Sequence, residues 1–154
     1  MIKDFLVKII STFFYVGRLP FMPGTFGSIA GLAIFFLTKG SGLLQVASSV
    51  ACLVLGLMVS TRAERIFNKK DAPCIVIDEV CGMLLSLLFL PFDTRLAITG
   101  FVLFRIFDIL KPYPAKKLQQ LRGSIGIMSD DIVCALYVNV ILQLIVRITS
   151  LRGS

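Results

Sequence analysis

The sequence predicts an all-α fold, a polytopic helical membrane protein with four to five membrane-embedded helices and an N-terminal interfacial amphipathic helix. Of the 154 residues, 56% are hydrophobic and 16% are charged, and the mean hydropathy is +0.90. Soluble domains are roughly 45–50% apolar, so this composition indicates a membrane protein. The apolar residues also form long runs, which extend over 29–37, 43–60, 80–92, 96–107 and 132–146.

The first element, residues 1–16, is predicted to be an amphipathic helix at the membrane interface. Charged Lys3, Asp4 and Lys8 alternate with apolar side chains, a pattern typical of helices that lie in the interface. The segment lacks the continuous apolar core and the small-residue cleavage site of a signal peptide, so we expect it to belong to the mature protein. At the C-terminus, residues 152–154 fit a cloning scar, and we base no inference on them.

Five spans fit the apolar runs when flanking residues complete the roughly 20 residues that a hydrocarbon core about 30 Å thick requires. With a cytoplasmic N-terminus, four of the 16 basic residues fall on the outer side, and the others lie inside or at inner span ends. Lys and Arg are enriched in short cytoplasmic loops, so this asymmetry selects that orientation. The expected bounds are 21–39, 42–60, 76–92, 95–110 and 131–149.

The absence of histidine and the placement of the cysteines exclude several kinds of site. Neither a histidine nucleophile nor a histidine-bound metal can be present. No close CxxC pair suggests a disulfide framework or a zinc site, and no cysteine has the arginine six positions later that a Cys-x5-Arg phosphatase needs. We expect the four cysteines to be small core residues. They are Cys52, Cys74, Cys81 and Cys134.

The distribution of the basic residues and the spacing of the aspartates argue against two further functions. The net charge of +7 does not indicate nucleic-acid binding, because the basic residues lie between apolar runs rather than in one soluble patch. We expect them to set topology and to contact anionic lipids. No DxD pair is present for an aspartyl-phosphate mechanism of the haloacid dehalogenase kind.

Five of the nine acidic residues lie at the ends of apolar runs, which is the anomaly of this sequence. A carboxylate costs about 2.5–3.5 kcal/mol at the centre of a membrane helix and less near the interface, so these groups need compensation. Two adjacent pairs also oppose each other's ionisation. A divalent cation such as Mg²⁺, held by oxygen ligands, would resolve both conflicts. The residues are Asp78, Glu79, Asp108, Asp130 and Asp131.

Asp108 is flanked at a spacing of three by Arg105 and Lys111, so all three share one face if the helix reaches that far. Pro112 and Pro114 should end that helix. Two interpretations stay open here. The segment is either an ion-paired helix end, or a carboxylate ligand beside two cations that bind phosphate.

The stretch LPFMPGTFGS, 19–28, combines a Pro/Gly turn with the start of an apolar run. Thr25, Ser28 and nearby backbone N–H groups would suit a phosphate, and a plain N-cap and turn fits equally well. Small-residue spacings at Gly27 with Gly31, and at Gly82 with Ser86, predict close helix packing.

The last span repeats polar or small residues at every fourth position. This stripe should face the bundle, either to build a site or to form hydrogen-bonded packing. It consists of Asp131, Ala135, Asn139 and Gln143.

Four blocks together resemble the phosphatidylglycerophosphatase A family, in the family's order and spacing over nearly the whole chain. They are PGTFGS at 23–28, IDEVCG at 77–82, FRIFDILKPYP at 104–114 and GIMSDD at 126–131. The resemblance implies a single membrane-embedded phosphatase domain over 1–154, multi-pass in the bacterial inner (cytoplasmic) membrane with its active site facing the cytoplasm. It also implies Mg²⁺-dependent hydrolysis of phosphatidylglycerophosphate to phosphatidylglycerol and inorganic phosphate. Cys81, where a plain aliphatic or small residue is expected, is a mild departure that touches no catalytic position.

The resemblance also implies roles for individual residues. Arg105 and Lys111 would hold the phosphate, with Thr25 and Ser28 assisting. Coupled acids share their titration, so the general base stays open between Asp131 and Glu79. The implied metal ligands are Asp78, Glu79, Asp108, Asp130 and Asp131, and the implied catalytic residues are Glu79, Asp131 and Asp108. Expected partners are the lipid substrate and membrane lipids, with no nucleic acid and no protein partner indicated.

Two alternative functions stay open. A small cation transporter or channel would use the acids as an ion path, but such a path should place them along the membrane's depth, whereas they gather at one face. A phosphatase of another lipid phosphate, such as phosphatidic acid, would use the same chemistry. The spaced aspartates of CDP-alcohol phosphotransferases are missing, which disfavours group transfer.

Overall fold

The computed structural model describes residues 2–152, with side chains described for 2–150, and all regular secondary structure within these residues is helical. The all-α class is therefore confirmed. Residues 153 and 154 of the expected scar lie outside the described part. The helices are α1 (Ile2–Ser11), α2 (Pro23–Leu37), α3 (Gly42–Phe67), α4 (Ile77–Ser86), α5 (Thr94–Leu110), α6 (Ala115–Leu118) and α7 (Gly123–Arg152), with a 3-10 turn at Val16–Arg18.

Two of these helices are long and apolar enough to cross a membrane. They are α3, with 26 residues, and α7, with 28 residues over Gly123–Ser150. Apolar α2 has 15 residues and at 1.5 Å per residue covers about 22 Å, less than the roughly 30 Å of a hydrocarbon core. The structure therefore gives two candidate spans, and the expected four to five embedded helices stay a prediction.

The predicted span 76–92 is wrong in its extent, because α4 has only ten residues and ends at Ser86. The chain then turns, with Phe89 in the left-handed region at φ 61°, and Pro91 disfavours helical geometry in the residue before it. The residues of this turn are as apolar as the helix before them, so the apolar run 80–92 did not show where the helix ends. At about 15 Å, α4 is roughly half as long as a span.

The predicted start of the last span at 131 is also wrong, because α7 begins at Gly123. Its first turn is fixed by α3: the Ser124 N–H donates to Thr61 Oγ1, and the Thr61 N–H donates to Ser124 Oγ, both at 2.8 Å. These bonds satisfy a helix-start N–H that has no partner within the helix. Asp130 and Asp131 consequently lie two turns inside α7 rather than at its start.

Helix α4 lies at the centre of the bundle, against α2, α3, α5 and α7. The small residues of α2 allow the close approach: a Cβ at Gly27 would lie 2.9 Å from Val76 Cβ, and one at Gly31 would lie 2.7 Å from the Val80 carbonyl oxygen. Similarly, a Cβ at Gly82 would lie 2.5 Å from Phe104 of α5. The expected packing role of these glycines is confirmed.

Helix α1 occupies part of the predicted interfacial segment and packs on α3. Arg62 of α3 donates to Asp4 at 2.9 Å, which ties the two helices together. Phe5 and Leu6 are exposed on α1. The position of α1 in the membrane interface stays a prediction. The cysteines are free thiols, three buried and Cys74 half-buried, as core residues should be.

The polar stripe of α7 hydrogen-bonds to the C-terminal end of α4, which lies inside the bundle. Asn139 Nδ2 donates to the carbonyl oxygens of Leu85, Ser86 and Leu88 at 3.3, 3.1 and 2.9 Å, and Gln143 reaches the Phe89 carbonyl at 3.4 Å. The last carbonyls of a helix have no intrahelical partner, and an apolar layer offers no water to replace it. Asn139 therefore allows α4 to end inside the bundle.

Replacing Asn139 with Leu should remove the donor that these three carbonyls share. Buried groups left without a partner cost about 1–3 kcal/mol, so the free energy of unfolding should fall by that order. Thermal unfolding in detergent measures the effect. Val140→Ala, at the neighbouring exposed position, is the control and should unfold close to wild type. Equal thermal unfolding midpoints for Asn139→Leu and the control would show that Asn139 does not stabilise the end of α4.

Candidate active site

Four helices bring all nine predicted site residues to one end of the bundle. The first turns of α2, the first turn of α4, the last turns of α5 and the third turn of α7 meet there. The residues are Thr25, Ser28, Asp78, Glu79, Arg105, Asp108, Lys111, Asp130 and Asp131.

Three carboxylates form the centre of this cluster. Oxygen atoms of Asp78, Glu79 and Asp131 all lie within 4.8 Å of one another. Asp78 and Asp131 are buried, and Glu79 is half-buried. Asp78 and Glu79 lie in the first turn of α4, where the helix dipole and free N–H groups favour negative charge. That effect, about 0.3–1 kcal/mol in exposed helices, is small against the repulsion of three close carboxylates.

Several of these carboxylate oxygens have no hydrogen-bond partner among the described residues. They are Asp78 Oδ1, Glu79 Oε2, Asp130 Oδ1 and Asp131 Oδ2, each buried. A buried polar atom without a partner is costly, and a buried charge without a counter-charge costs more. A hard divalent cation bound by oxygen ligands would satisfy such atoms. The described residues therefore fit a metal at Asp78, Glu79 and Asp131.

The other two acids of the cluster are ion-paired. Arg105 Nη1 donates to Asp108 Oδ2 at 2.6 Å, and Lys111 Nζ lies 3.4 Å from Asp108 Oδ1. Lys111 also contacts Asp130 and lies 3.7 Å from Asp131 Oδ1. The predicted shared face of Arg105, Asp108 and Lys111 is thus present, and the ion-pair interpretation holds for Asp108.

The ion pairs leave donors for a further anion. A guanidinium has five N–H groups, and the buried Arg105 Nε has no partner among the described residues. At Lys111, burial acts to lower the pKa of the amine, but the carboxylates of Asp131, Asp130 and Asp108 outweigh it and raise that pKa above its usual value. Lys111 therefore stays a cation at the edge of the acidic cluster.

The Pro/Gly segment places two hydroxyl groups near the cluster. Helix α2 begins at Pro23, and its N-cap residue Met22 makes no side-chain capping bond, so the N-cap interpretation of Ser28 is wrong. Ser28 lies a turn and a half into the helix, donates to the Gly24 carbonyl at 3.0 Å and accepts from Arg105 at 3.3 Å. Thr25 Oγ1 is buried without a partner among the described residues.

Gly24 is a site residue that sequence reasoning missed. A Cβ there would lie 2.4 Å from Glu79 Oε1 and 3.3 Å from Arg105 Nη1. A side chain at this position would therefore displace the Glu79 carboxylate from its place beside α2. The PG pair indicated a turn, and nothing in the sequence showed which helix the turn would contact.

Comparisons with known proteins give one consistent family. The family described as PgpA, Phosphatidylglycerophosphatase A, matches residues 9–146. A Bacteroides thetaiotaomicron protein provisionally named phosphatidylinositol-3-phosphatase is 34% identical over 143 residues, covering 87% of this chain and 89% of that protein. Proteins named phosphatidylglycerophosphatase A from Haemophilus influenzae and Escherichia coli are 33% and 36% identical, covering 75% and 76% of this chain and 73% and 70% of those proteins. No solved structure matches the chain.

Replacing Asp131 with Asn should leave the metal-free protein as stable as wild type or more so, because it removes one of three mutually repelling buried charges. Thermal unfolding in detergent with chelator tests this. Adding Mg²⁺ should raise the wild-type midpoint, as any ligand of the folded state does, and should raise that of the variant much less.

Asp4→Asn, which removes an acid outside the site, is the control and should keep the full Mg²⁺ response. A destabilised Asp131→Asn protein that still responds fully to Mg²⁺ would show that this carboxylate is structural.

Proposed function

The chain belongs to the phosphatidylglycerophosphatase A family, and we propose that it hydrolyses phosphatidylglycerophosphate to phosphatidylglycerol and inorganic phosphate at the acidic end of its bundle. It is a phosphatase of phosphatidylglycerol synthesis. The observation that carries the assignment to this site is the buried group of Asp78, Glu79 and Asp131, which lies beside the cations Arg105 and Lys111.

We infer that the metal is Mg²⁺, held by Asp78, Glu79 and Asp131. Among the described residues the group offers carboxylate oxygens and no nitrogen or sulfur ligand, which favours a hard cation over zinc. A bound divalent cation would supply charge neutralisation at the phosphate and activation of a water. Asp108 and Asp130 were also expected to be ligands, and their contacts with Arg105 and Lys111 support a different role.

In this proposal Arg105 and Lys111 bind the phosphate. A phosphate monoester carries about −1.5 to −2 charges at pH 7, which two cations complement. Arg105 can present paired N–H groups to two phosphate oxygens, and Lys111 acts as a point charge. Asp108 and Ser28 hold the guanidinium in place, and Asp130 holds the ammonium. Thr25 would add a hydroxyl near the same phosphate.

The general base is then a carboxylate with an oxygen that neither Arg105 nor Lys111 occupies. Glu79 or Asp131 would take the proton from the attacking water, with the choice open because the acids are coupled. Both oxygens of Asp108 are engaged by Arg105 and Lys111. Its catalytic contribution is therefore orientation of these two cations rather than proton abstraction.

We place this site at the cytoplasmic face of a bacterial inner membrane. The C-terminal part of α3 and the following loop carry Arg62, Arg65, Lys69 and Lys70, and the same loop leads directly to Asp78. Positive residues favour the cytoplasmic side, which supports this orientation. The acyl chains of the substrate would stay in the inner leaflet while its terminal phosphate enters the acidic cluster.

A phosphomonoester on another lipid is the second candidate substrate, favoured by the Bacteroides relative and its provisional name. The site would bind a metal cation and the terminal phosphate of the lipid, and both candidate lipids carry such a phosphate. An ion path is less well supported, because the acids gather at one end of the bundle instead of along it.

Replacing Glu79 with Gln or Asp131 with Asn should lower phosphate release about a hundredfold or more, the scale of lost general acid–base catalysis. Release is measured in mixed micelles on phosphatidylglycerophosphate, phosphatidylinositol 3-phosphate and phosphatidic acid. Wild type should prefer the first lipid and lose activity in chelator until Mg²⁺ is restored.

Lys116→Gln, at an exposed position on α6, is the control and should retain wild-type turnover. Full activity in chelator would contradict the metal assignment. A clear preference for another lipid would show that the substrate carries that headgroup instead. If the variants unfold but keep activity in proportion to the folded fraction, neither acid takes part in the chemical step.

A further inference from the structure

A polar cavity lies outside the acidic cluster, between the end of α3 and the start of α7. Its volume is about 450 Å³. None of the residues that line it belongs to the candidate active site. They are Thr61, Glu64, Arg65, Asn68, Lys69, Lys70, Arg122 and Gly123.

The cavity is strongly basic. Four of its residues are cations, and none of these four has a carboxylate within ion-pair distance among the residues whose side chains are described. Its one acid, Glu64, already accepts from the Asp71 N–H at 2.8 Å. Lys70 donates to the Gln120 carbonyl at 3.0 Å, a neutral partner. Four cations against one carboxylate create a local positive potential that attracts an anion.

The start of α7 adds to this potential. Gly123, with φ +68°, lines the cavity, and a Cβ there would lie 2.6 Å from Thr61 Oγ1. The 30-residue helix α7 begins at this point, so the positive end of its dipole coincides with the four cations. The glycine and the reciprocal bonds of Thr61 with Ser124 hold that end against α3.

Apolar surface continues from the cavity along both helices. On α3, Met58 and Val54 follow Thr61 toward the middle of the helix on the same face, by helical spacing, and Met58 is 72% exposed. On α7, Ile125 is 61% exposed just inside the first turn. A cationic cavity above an exposed apolar face matches a molecule with an anionic head and acyl chains, whereas free phosphate would use only the head.

We propose that this cavity is a binding site for the phosphate of an anionic phospholipid of the surrounding bilayer, separate from the catalytic cluster. The four cations, with the start of α7, hold the headgroup phosphate. The exposed faces of α3 and α7 contact the acyl chains. The proposal does not depend on which lipid the enzyme hydrolyses.

The test compares Arg65→Gln/Arg122→Gln with Lys116→Gln/Lys117→Gln, a control that removes the same charge from α6. Each protein is reconstituted in bilayer nanodiscs of equal phosphatidylglycerol and phosphatidylcholine, extracted into detergent, and examined by native mass spectrometry for bound lipid. Wild type and the control should retain phosphatidylglycerol over phosphatidylcholine. The cavity variant should retain it about 25-fold less, since each of the two removed cations contributes about a fivefold factor to anionic-lipid binding.

Thermal unfolding checks that the cavity variant is folded, and if it is not, Lys69→Gln alone should still lower retention about fivefold. Equal retention by wild type and the folded cavity variant would overturn the proposal, as would an equal loss in the control. A large excess of inorganic phosphate should displace little phosphatidylglycerol, and full displacement would overturn the assignment to a lipid. Both variants leave the acidic cluster intact, so a difference in retention between them reports on the cavity and is distinguishable from a failure of the catalytic assignment.

Discussion

Buried carboxylates without enough counter-charge are the constraint on which this structure depends. The carboxylates of Asp78, Asp108, Asp130 and Asp131 are buried together at one end of an apolar bundle. Arg105 and Lys111 neutralise two of them by direct contact. The other acids would be costly as unpaired charges in a low-dielectric environment, and their geometry is compatible with a bound divalent cation. In that state the same two cations can also meet an incoming phosphate.

The lengths of the central helices follow from this arrangement. Helix α4 begins at the cluster, where it carries Asp78 and Glu79. Other helices surround it, and it ends inside the bundle, where Asn139 donates to its last carbonyls. Helix α7 begins two turns before its acids, where Thr61 fixes its first turn. One polar stripe on α7 thus serves the site at Asp131 and the closure of α4 at Asn139.

The sequence was sufficient for the helical class. The acids and cations that it proposed for the site lie together at one end of the bundle, and they were conspicuous because they stand next to apolar runs. It did not predict the end of α4, since the residues from Leu87 to Phe92 are as apolar as the helix before them. Nor did it predict that Lys111 pairs with Asp130, because that contact depends on how α5 and α7 meet in space. Gly24 was missed for a similar reason, since a glycine in a turn gives no sign of the side chains it approaches.

The central claim is that Asp78, Glu79 and Asp131 together bind one divalent cation. Anomalous diffraction from crystals grown with Mn²⁺, which accepts the oxygen ligands of Mg²⁺, tests it most directly. We expect a peak bonded to one oxygen of each of these three carboxylates, at about the 2.0–2.1 Å typical of Mg²⁺ or slightly longer. Arg105 and Lys111 should keep their contacts with Asp108 and Asp130. A peak bound only by Asp108 and Asp130, or no peak with ordered waters satisfying the three carboxylates, would contradict the claim.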